Sequence, residues 1–597
     1  MDNNQQYIKR NHVSPFLPTT KDEMLKLGWQ NVDIVLFSGD AYVDHPAFGA
    51  AVIARVLEHN GYRVAVVPQP NWRDDLRDFK KMGVPRLFFA ITSGAMDSMV
   101  NHYTAAKRLR SNDAYTPNGA ASFRPDYAVK TYSLILKKLY PDVPVVIGGI
   151  EASLRRLAHY DYWQDKLMPS ILLDSKADFL IYGMGEKAIV EIADYLRNKN
   201  HKKKEDSLSG EKENFSDDRE SLKQIAYFSK EAPKKSDDVV LLHSFDECVK
   251  SKRAFIENFN EIELQANIKN PRRIAEPCGG GYVYVNVPFD MPAEEELDSY
   301  HDLPYTRLPH PRYKGKMIPA YEMIKFSINI HRGCFGGCSF CTIAAHQGKF
   351  IQSRSCDSIL REIEKVKALP GFAGNISDVG GPTANMYRMG GKDKTLCEKC
   401  RRKSCLFPVI CSNLNNSHKS LLELYHKIDA LPGIKHSYIG SGIRYDLFLS
   451  EKGFYDNTCR DYFYELMEKH TSGRLKVAPE HTEDEVLKQM GKPSFKLFER
   501  LREEFDLHNR KRDMHLQLVP YFISSHPGCT MADMQALAHN KCLRGVYMDQ
   551  VQDFTPTPMT RSSVSYYTGL DTRTFRPIPV EKNPQRKKEQ KSYFFKK

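Results

Sequence analysis

Cys334, Cys338 and Cys341 stand in the stretch FSINIHRGCFGGCSFCTIAAHQGK, residues 326–349, separated by three and by two intervening residues and preceded by an alternating apolar run that reads as a strand. Three thiolates this close on one loop can converge on a single metal centre, and Gly333, Gly336 and Gly337 let the backbone fold round an inorganic core. Iron-sulfur clusters are held by Cys thiolates on short loops, and a cubane normally takes four. With three supplied, one iron stays open to a small molecule, much as a catalytic metal differs from a structural one by its free position. The alternatives are a structural zinc loop or three ordinary thiols, but unrelated cysteines seldom cluster so tightly.

A second group follows in TLCEKCRRKSCLFPVIC, where Cys397, Cys400, Cys405 and Cys411 fall within fifteen residues. Four thiolates could hold a zinc ion or a second cluster. Zinc sites more often use two symmetrical pairs, and the plainer alternative is a set of reduced core cysteines. Arg401, Arg402 and Lys403 would partly balance the thiolate charge. Cys248, Cys278, Cys356, Cys459, Cys529 and Cys542 are isolated and read as buried or incidental.

These groups must be positioned by several domains, because the chain has 597 residues and single cores seldom grow past about 250–300. The opening MDNNQQYIKRNHV lacks an apolar signal core and no run is long enough to span a bilayer, so the expected setting is the cytoplasm, with no membrane partner. In a reducing compartment clustered thiols among the 13 cysteines point to metal or catalysis rather than disulfides. The net charge of +13 is spread out. It permits nucleic-acid binding but does not favour it over a solvated surface, since no recognised motif accompanies it.

The first two hundred residues alternate short apolar runs, at 32–37, 63–67, 86–91, 143–147 and 177–182, with helical patterns at 47–60, 127–139 and 186–196. Runs of that kind suit strands buried on both faces of a parallel sheet. The layout is α/β and doubly wound, with any ligand site beyond the carboxyl ends of the strands. The long loop Thr92–Pro125 is expected to be functional and to cover the mouth of the second domain. Residues 201–240 are charged and read as an exposed flexible insertion with at most a short helix. A connector subdomain over 241–310 follows, with a helix near 245–258 and a strand at 282–287. A (β/α) barrel is expected over 311–565, with the Cys-rich insertion at 395–411, and a basic tail over 566–597. Its helix at 358–369 would be capped by Asp357 or Ser358.

Polar residues recur at the ends of the barrel's strands. Gly380, Gly381, Pro382 and Thr383 follow one; Ser441 and Arg444 follow another in SYIGSGIRYD; Glu480 and His481 follow a third in LKVAPEHT; Ser524, Ser525 and His526 follow a fourth. Active sites of such barrels gather at these ends, whereas simple strand capping is the plain alternative.

The cysteine loop, with Phe340 before its last cysteine, resembles the signature of the radical SAM enzymes. The blocks DVGGPTANMY, SGIRYD, APEHTE, YFISSHPG and DQVQDFTPTP closely resemble the YgiQ-type family of those proteins, over almost the whole chain. The resemblance implies a 4Fe-4S cluster on Cys334, Cys338 and Cys341, and S-adenosylmethionine (SAM) bound on its open iron and on the turn Gly380–Thr383, with Ser441, Arg444 and Glu480 as further contacts. It implies reductive cleavage of SAM to a 5'-deoxyadenosyl radical acting on an unknown substrate, with an electron donor such as flavodoxin or ferredoxin. The family has no settled substrate. The N-terminal domain resembles the cobalamin-binding Rossmann type, but Asp44 adjoins His45 and Gly49 falls four residues later, which departs from the cobalamin motif; cobalamin is not expected. A methylthiolating enzyme acting on tRNA or protein is a second reading, weakened because no cysteine precedes Cys248. A cluster-bearing RNA-binding or sensor protein without turnover is a third, which the set of strand-end residues argues against.

Overall fold

The computed structural model describes residues 14–209, 218–234, 238–546, 548 and 550–595. The opening residues read for a signal, parts of the charged insertion and the last two residues of the basic end lie outside the described residues.

The first half is built on one nine-stranded sheet. Its strands are β1 (Ile34–Ser38), β2 (Val64–Pro68), β3 (Phe88–Thr92), β4 (Val145–Gly148), β5 (Phe179–Ile181), β6 (Ile225–Ser229), β7 (Val239–Leu241), β8 (Arg273–Cys278) and β9 (Gly281–Val285), in the spatial order β2-β1-β3-β4-β5-β6-β9-β8-β7. The first five are parallel, with Ile34 opposite Val64 and Phe88. Successive side chains on a strand point to opposite faces, and here both faces are covered. Ile34, Leu36, Val64, Val66, Phe88 and Ala90 enter one core, while Val35, Phe37, Ala65, Val67, Phe89 and Ile91 enter the other. That is why these strands read as unbroken apolar runs. The strand order changes direction at β1, between β2 and β3, and the crevice beyond the carboxyl ends there is where such sheets take ligands.

The sheet does not stop near residue 200. β6 pairs antiparallel with β5, and β9 and β8 form a hairpin beyond it. Residues 225–229 are therefore an internal strand rather than part of an exposed insertion, because the run IAYF can bury its side chains between β5 and β9. The expected connector 241–310 adds strands to the same sheet, and its expected single helix is two, Phe245–Lys250 and Lys252–Asn267, broken at Ser251, whose hydroxyl caps the second. The segment 92–125 covers the carboxyl edge of this sheet instead of the second domain's mouth. Its fully buried Arg124 bonds Asp40 after β1, the Ser93 carbonyl after β3, and Asp113.

The second half is a partial barrel. β10 (Ser327–Asn329) pairs in parallel with β12 (Asp378–Gly380), and β11 (Asn375–Ile376) with β13 (His436–Ser437). A bridge between Ile443 and Val477 carries the sheet on to β14 (Arg474–Glu480), which pairs with β15 (Gln517–Ser524), and that with β16 (Gln550–Asp553). Among the described residues β10 and β16 do not pair with each other, so the arc stays open. Helices Cys356–Lys367, Lys419–Asp429, Asn457–Lys469 and Lys496–Lys511 return the chain between strands and bury Ile359, Ile363, Leu421, Tyr425, Phe463, Leu466, Phe498 and Leu501 against the arc. The first of these is capped by Ser355, whose hydroxyl accepts from Ser358 N, rather than by Asp357 or Ser358. The expected basic tail is packed on the barrel: Phe594 joins its core, and the buried Lys587 donates to the Tyr162 hydroxyl and the Phe554 carbonyl. Among the described residues no helix is long and apolar enough to cross a membrane.

The two halves meet strand end to strand end. Helix Gly149–Leu154, directly after β4, packs on helix Ile343–Gln347, directly after the cysteine loop. Arg332, just before that loop, pairs with Glu186, just after β5, at 2.7 Å, both buried.

Candidate active site

The three signature cysteines lie on one loop at the carboxyl end of β10. Cys334 is buried, and Cys338 and Cys341 are half-buried. Burial pushes the Cys341 thiol up to about 12 and also raises Cys334, with each thiol's neighbours in the trio adding to the effect. Burial of this kind favours the neutral thiol at Cys334 and Cys341 until a cation replaces the proton. No three cysteine sulfurs among the described residues approach within 4.8 Å of one another, so the trio does not close on a single ion. Three thiols on one loop are the donor chemistry of an iron-sulfur core.

The loop is held from two sides. Gly337 has φ +67°, and a Cβ there would lie 2.6 Å from Ser404 Cβ; Ser404 Oγ donates to the Gly336 carbonyl at 2.7 Å. On the other side Ser562 Oγ donates to Ser339 Oγ at 2.7 Å and bonds His526 Nε2 at 2.7 Å.

Arg444 supplies the positive charge. Its Nη1 donates to Cys338 Sγ at 3.3 Å, while Nε and Nη2 clasp Asp446 at 3.0 and 2.5 Å. Burial opposes the guanidinium charge, but Asp446 outweighs it, with Cys338 and Cys334 adding to the effect as thiolates, and Arg444 is held charged. The same pair overcomes burial at Asp446 and keeps that carboxyl below the usual range. Asn385, fully buried, fixes the Arg444 backbone by bonding both its N–H and its carbonyl at 2.9 and 3.0 Å.

The glycine turn lies beside Cys334, with Thr383 Oγ1 3.6 Å from its sulfur. At Gly381 a Cβ would sit 2.5 Å from the buried His331 ring, so no larger residue fits without displacing that ring. Burial pushes the His331 pKa down to about 4, against a backbone hydrogen bond with Thr383. Ser441 is held by Asp378, to which its hydroxyl and, at 3.2 Å, its backbone N–H both donate. Glu480 sits at a bulge in β14 with φ +69°, buried, 3.7 Å from Lys492 Nζ. Burial raises its pKa, against Lys492 and Arg444. Thr383, Arg444 and Glu480 thus gather round the thiols, whereas Ser441 is occupied by Asp378. Asp446, Asn385, Asp378, His331 and Lys492 were missed in the sequence. The Arg-Tyr-Asp spacing at 444–446 was the available signal for the first.

The second cysteine group packs on the first. Cys405 N donates to the Phe335 carbonyl at 3.1 Å, and Cys411 N to the Cys405 carbonyl at 2.7 Å. Cys405 is pushed up to about 11 by burial, against Lys349, with Cys411 and Cys400 adding to the rise. Cys400 Sγ accepts from Arg402 N and Cys397 Sγ from Asn413 Nδ2, each at 3.4 Å. These sulfurs are not closed to single-ion distance either.

In the first half, Asp44 is tied to Arg55 at 3.0 and 2.6 Å and to Thr306 N at 2.8 Å. His45 is buried, its Nδ1 accepting from Ala47 N at 3.0 Å. A cavity of about 350 Å3 at the ends of β1, β3, β4 and β5 is lined by Pro46, Ala47 and Gly49 but not by His45.

The family described as Radical SAM N-terminal matches residues 16–327. A UPF0313 protein of Bacteroides thetaiotaomicron is 54% identical over 98% of this chain and 95% of its own length. One from Porphyromonas gingivalis is 52% identical over 98% and 91%, and one from Methanocella arvoryzae 44% identical over 95% and 91%. Among solved structures, the radical SAM methyltransferase TsrM of Kitasatospora setae, which holds cobalamin and a 4Fe-4S cluster, aligns over 90% of this chain and 75% of its own, with 15% identity and a TM-score of 0.49. With relatives so similar over nearly its full length, the chain belongs to the UPF0313, YgiQ-type family of radical SAM proteins.

Proposed function

We propose that the protein is an enzyme that binds a 4Fe-4S cluster through Cys334, Cys338 and Cys341 and cleaves SAM reductively to act on a second substrate. The observation that carries the reading is the convergence on one strand-end rim of a three-thiol loop, the Thr383 turn and a charged arginine. A bound cluster of this type supplies an electron to SAM; the chain's own residues hold, orient and shield the reactants. Arg444, fixed by Asp446 and Asn385, offsets thiolate charge in a site where burial would otherwise favour neutral thiols. The turn Gly380–Thr383 brings backbone groups beside Cys334, and Glu480, oriented by Lys492, offers a carboxylate for a cationic group of SAM.

The working partner is a small electron-transfer protein of the flavodoxin or ferredoxin kind, and the setting is the cytoplasm. Nucleic acid is not favoured as substrate. Anaerobic reconstitution with iron and sulfide, followed by reduction in the presence of SAM, should release 5'-deoxyadenosine. A reconstituted protein that carries the cluster and releases none would leave the non-catalytic reading in its place.

A further inference from the structure

A cavity of about 670 Å3 lies between the two halves, within the size range of small-molecule sites. One wall is helix Ile343–Gln347 and Gly348–Phe350, the chain that leaves the cysteine loop; the other is formed by residues after β5 and β9 and by the end of helix Lys252–Asn267. It shares Arg332, Glu186, Gly183 and His346 with the cavity at the N-terminal strand ends.

The acidic groups lining it are paired or exposed, while several of the cations have no carboxylate among the described residues: buried Lys349 donates to the Arg402 carbonyl, and Lys269 lies over the Phe350 ring. Arg332 meets Glu186, and Lys187 meets Glu296, each at 2.7 Å; Asp290 and Glu398 are exposed. Arg156 is a further such cation, set apart by an unsatisfied guanidinium nitrogen. It is 5% exposed, its Nη1 donates to the Ser153 carbonyl at 2.7 Å, and the Tyr182 ring lies 5.0 Å away. Its Nε has no partner, and no carboxylate pairs with it among the described residues. His346, across the cavity, also has a buried Nδ1 without a partner among the described residues. A buried cation without a counter-charge costs stability, so a folded chain that retains one has a use for it elsewhere. Guanidinium binds carboxylate and phosphate through paired, charge-assisted hydrogen bonds.

We infer that Arg156 is the anchor of a ligand site in this cavity and takes the anionic group, phosphate or carboxylate, of a small molecule. That this molecule is the substrate of the SAM-dependent reaction rests on the proposed function. Anion binding itself does not, because the wall that separates it from the thiols is this chain's own helix Ile343–Gln347.

The test is thermal unfolding of the full-length protein with inorganic phosphate or with succinate, each titrated at constant ionic strength against chloride. At least one anion should stabilise the parent saturably. R156M should lose that response, with an apparent dissociation constant roughly tenfold or more higher, as expected for a lost charged hydrogen bond, while R156K keeps part of it. Without added anion R156M should unfold at the same temperature as the parent or higher, because it removes an uncompensated charge. A response to phosphate alone would assign a phosphorylated ligand, and to succinate alone a carboxylate. The inference is overturned if neither anion stabilises the parent, if R156M responds as the parent does, or if R156M is less stable than the parent in anion-free buffer. None of these readouts involves SAM cleavage, so a failure here is distinguishable from a failure of the proposed reaction.

Discussion

Arg444 touches Cys338 with one nitrogen and grips Asp446 with two others, so a single buried side chain ties a thiol of the cysteine loop to a carboxylate on its own strand end. Removing one member of a buried pair strands the other charge, at a cost of about 3–5 kcal/mol. Arg444→Met should therefore lose about that much in urea unfolding, and the double variant Arg444→Met/Asp446→Leu should recover most of it. If the double variant is no more stable than the single one, the ion pair is not what holds this part of the rim.

Cys338→Ala should remove the iron of the first site, about four atoms per chain as in a cubane, and abolish 5'-deoxyadenosine release. Iron analysis and chromatography of the quenched reaction read both at once. Cleavage that survives the change would sink the radical SAM reading of this chain.

Gly381→Ala places a methyl against the His331 ring. Overpacking of that kind costs about 1–3 kcal/mol, and it shifts the turn beside Cys334. Lower stability together with weaker SAM binding is expected, measured by denaturation and by equilibrium dialysis. Gly381→Ala/His331→Ala should restore stability if the ring is the obstacle.

Glu276 governs a pH dependence of the first half. It is fully buried on β8, accepts from Ala158 N at 3.2 and 2.9 Å, and burial lifts its pKa from the ordinary 4.5 to about 8. Between those values the folded chain keeps a proton that the unfolded chain has lost. Its contribution is thus fully present below pH 4.5 and is lost as pH rises to about 8, with a slope approaching about 1.4 kcal/mol per pH unit. Glu276→Gln, which cannot ionise, should flatten the stability profile in that window and exceed the parent near pH 8. An unchanged slope would show that Glu276 titrates normally.

The parallel strands of the first half were legible because both their faces are buried, so β1 to β5 appear as apolar runs wherever they are read. β6 was not, since Ile225–Ser229 is short and flanked by charged residues, and only its place between β5 and β9 makes it a strand. The cysteine spacing announced its loop, because local backbone reach fixes which thiols can meet. The left-handed backbone of Glu480, the Asn385 brace and the ring packed on Gly381 depend on chain segments distant in sequence, and no local pattern encodes them. The same holds for the cap at Ser355, where the choice among neighbouring polar residues was settled by where the helix begins after β10.

The second cysteine group is the sharpest remaining test. The segment begins a few residues after Thr383 and cannot travel far, and it is indeed seated on the signature loop, with Ser404 on Gly336 and Cys405 on Phe335. A second iron-sulfur centre there could bind substrate or relay electrons, whereas zinc, without redox chemistry, could only brace the loop. Replacing Cys400, Cys405 and Cys411 together by Ala should lower the metal content while the trio Cys334, Cys338 and Cys341 keeps its own iron. Iron, sulfide and zinc per chain, measured beside the parent, decide among a cluster, a zinc ion and neither. Loss of iron and sulfide in step assigns a cluster, and loss of zinc alone assigns a brace. Unchanged metal content would make these thiols packing residues, consistent with the burial that already raises Cys405 to about 11, and the second centre would have to be abandoned.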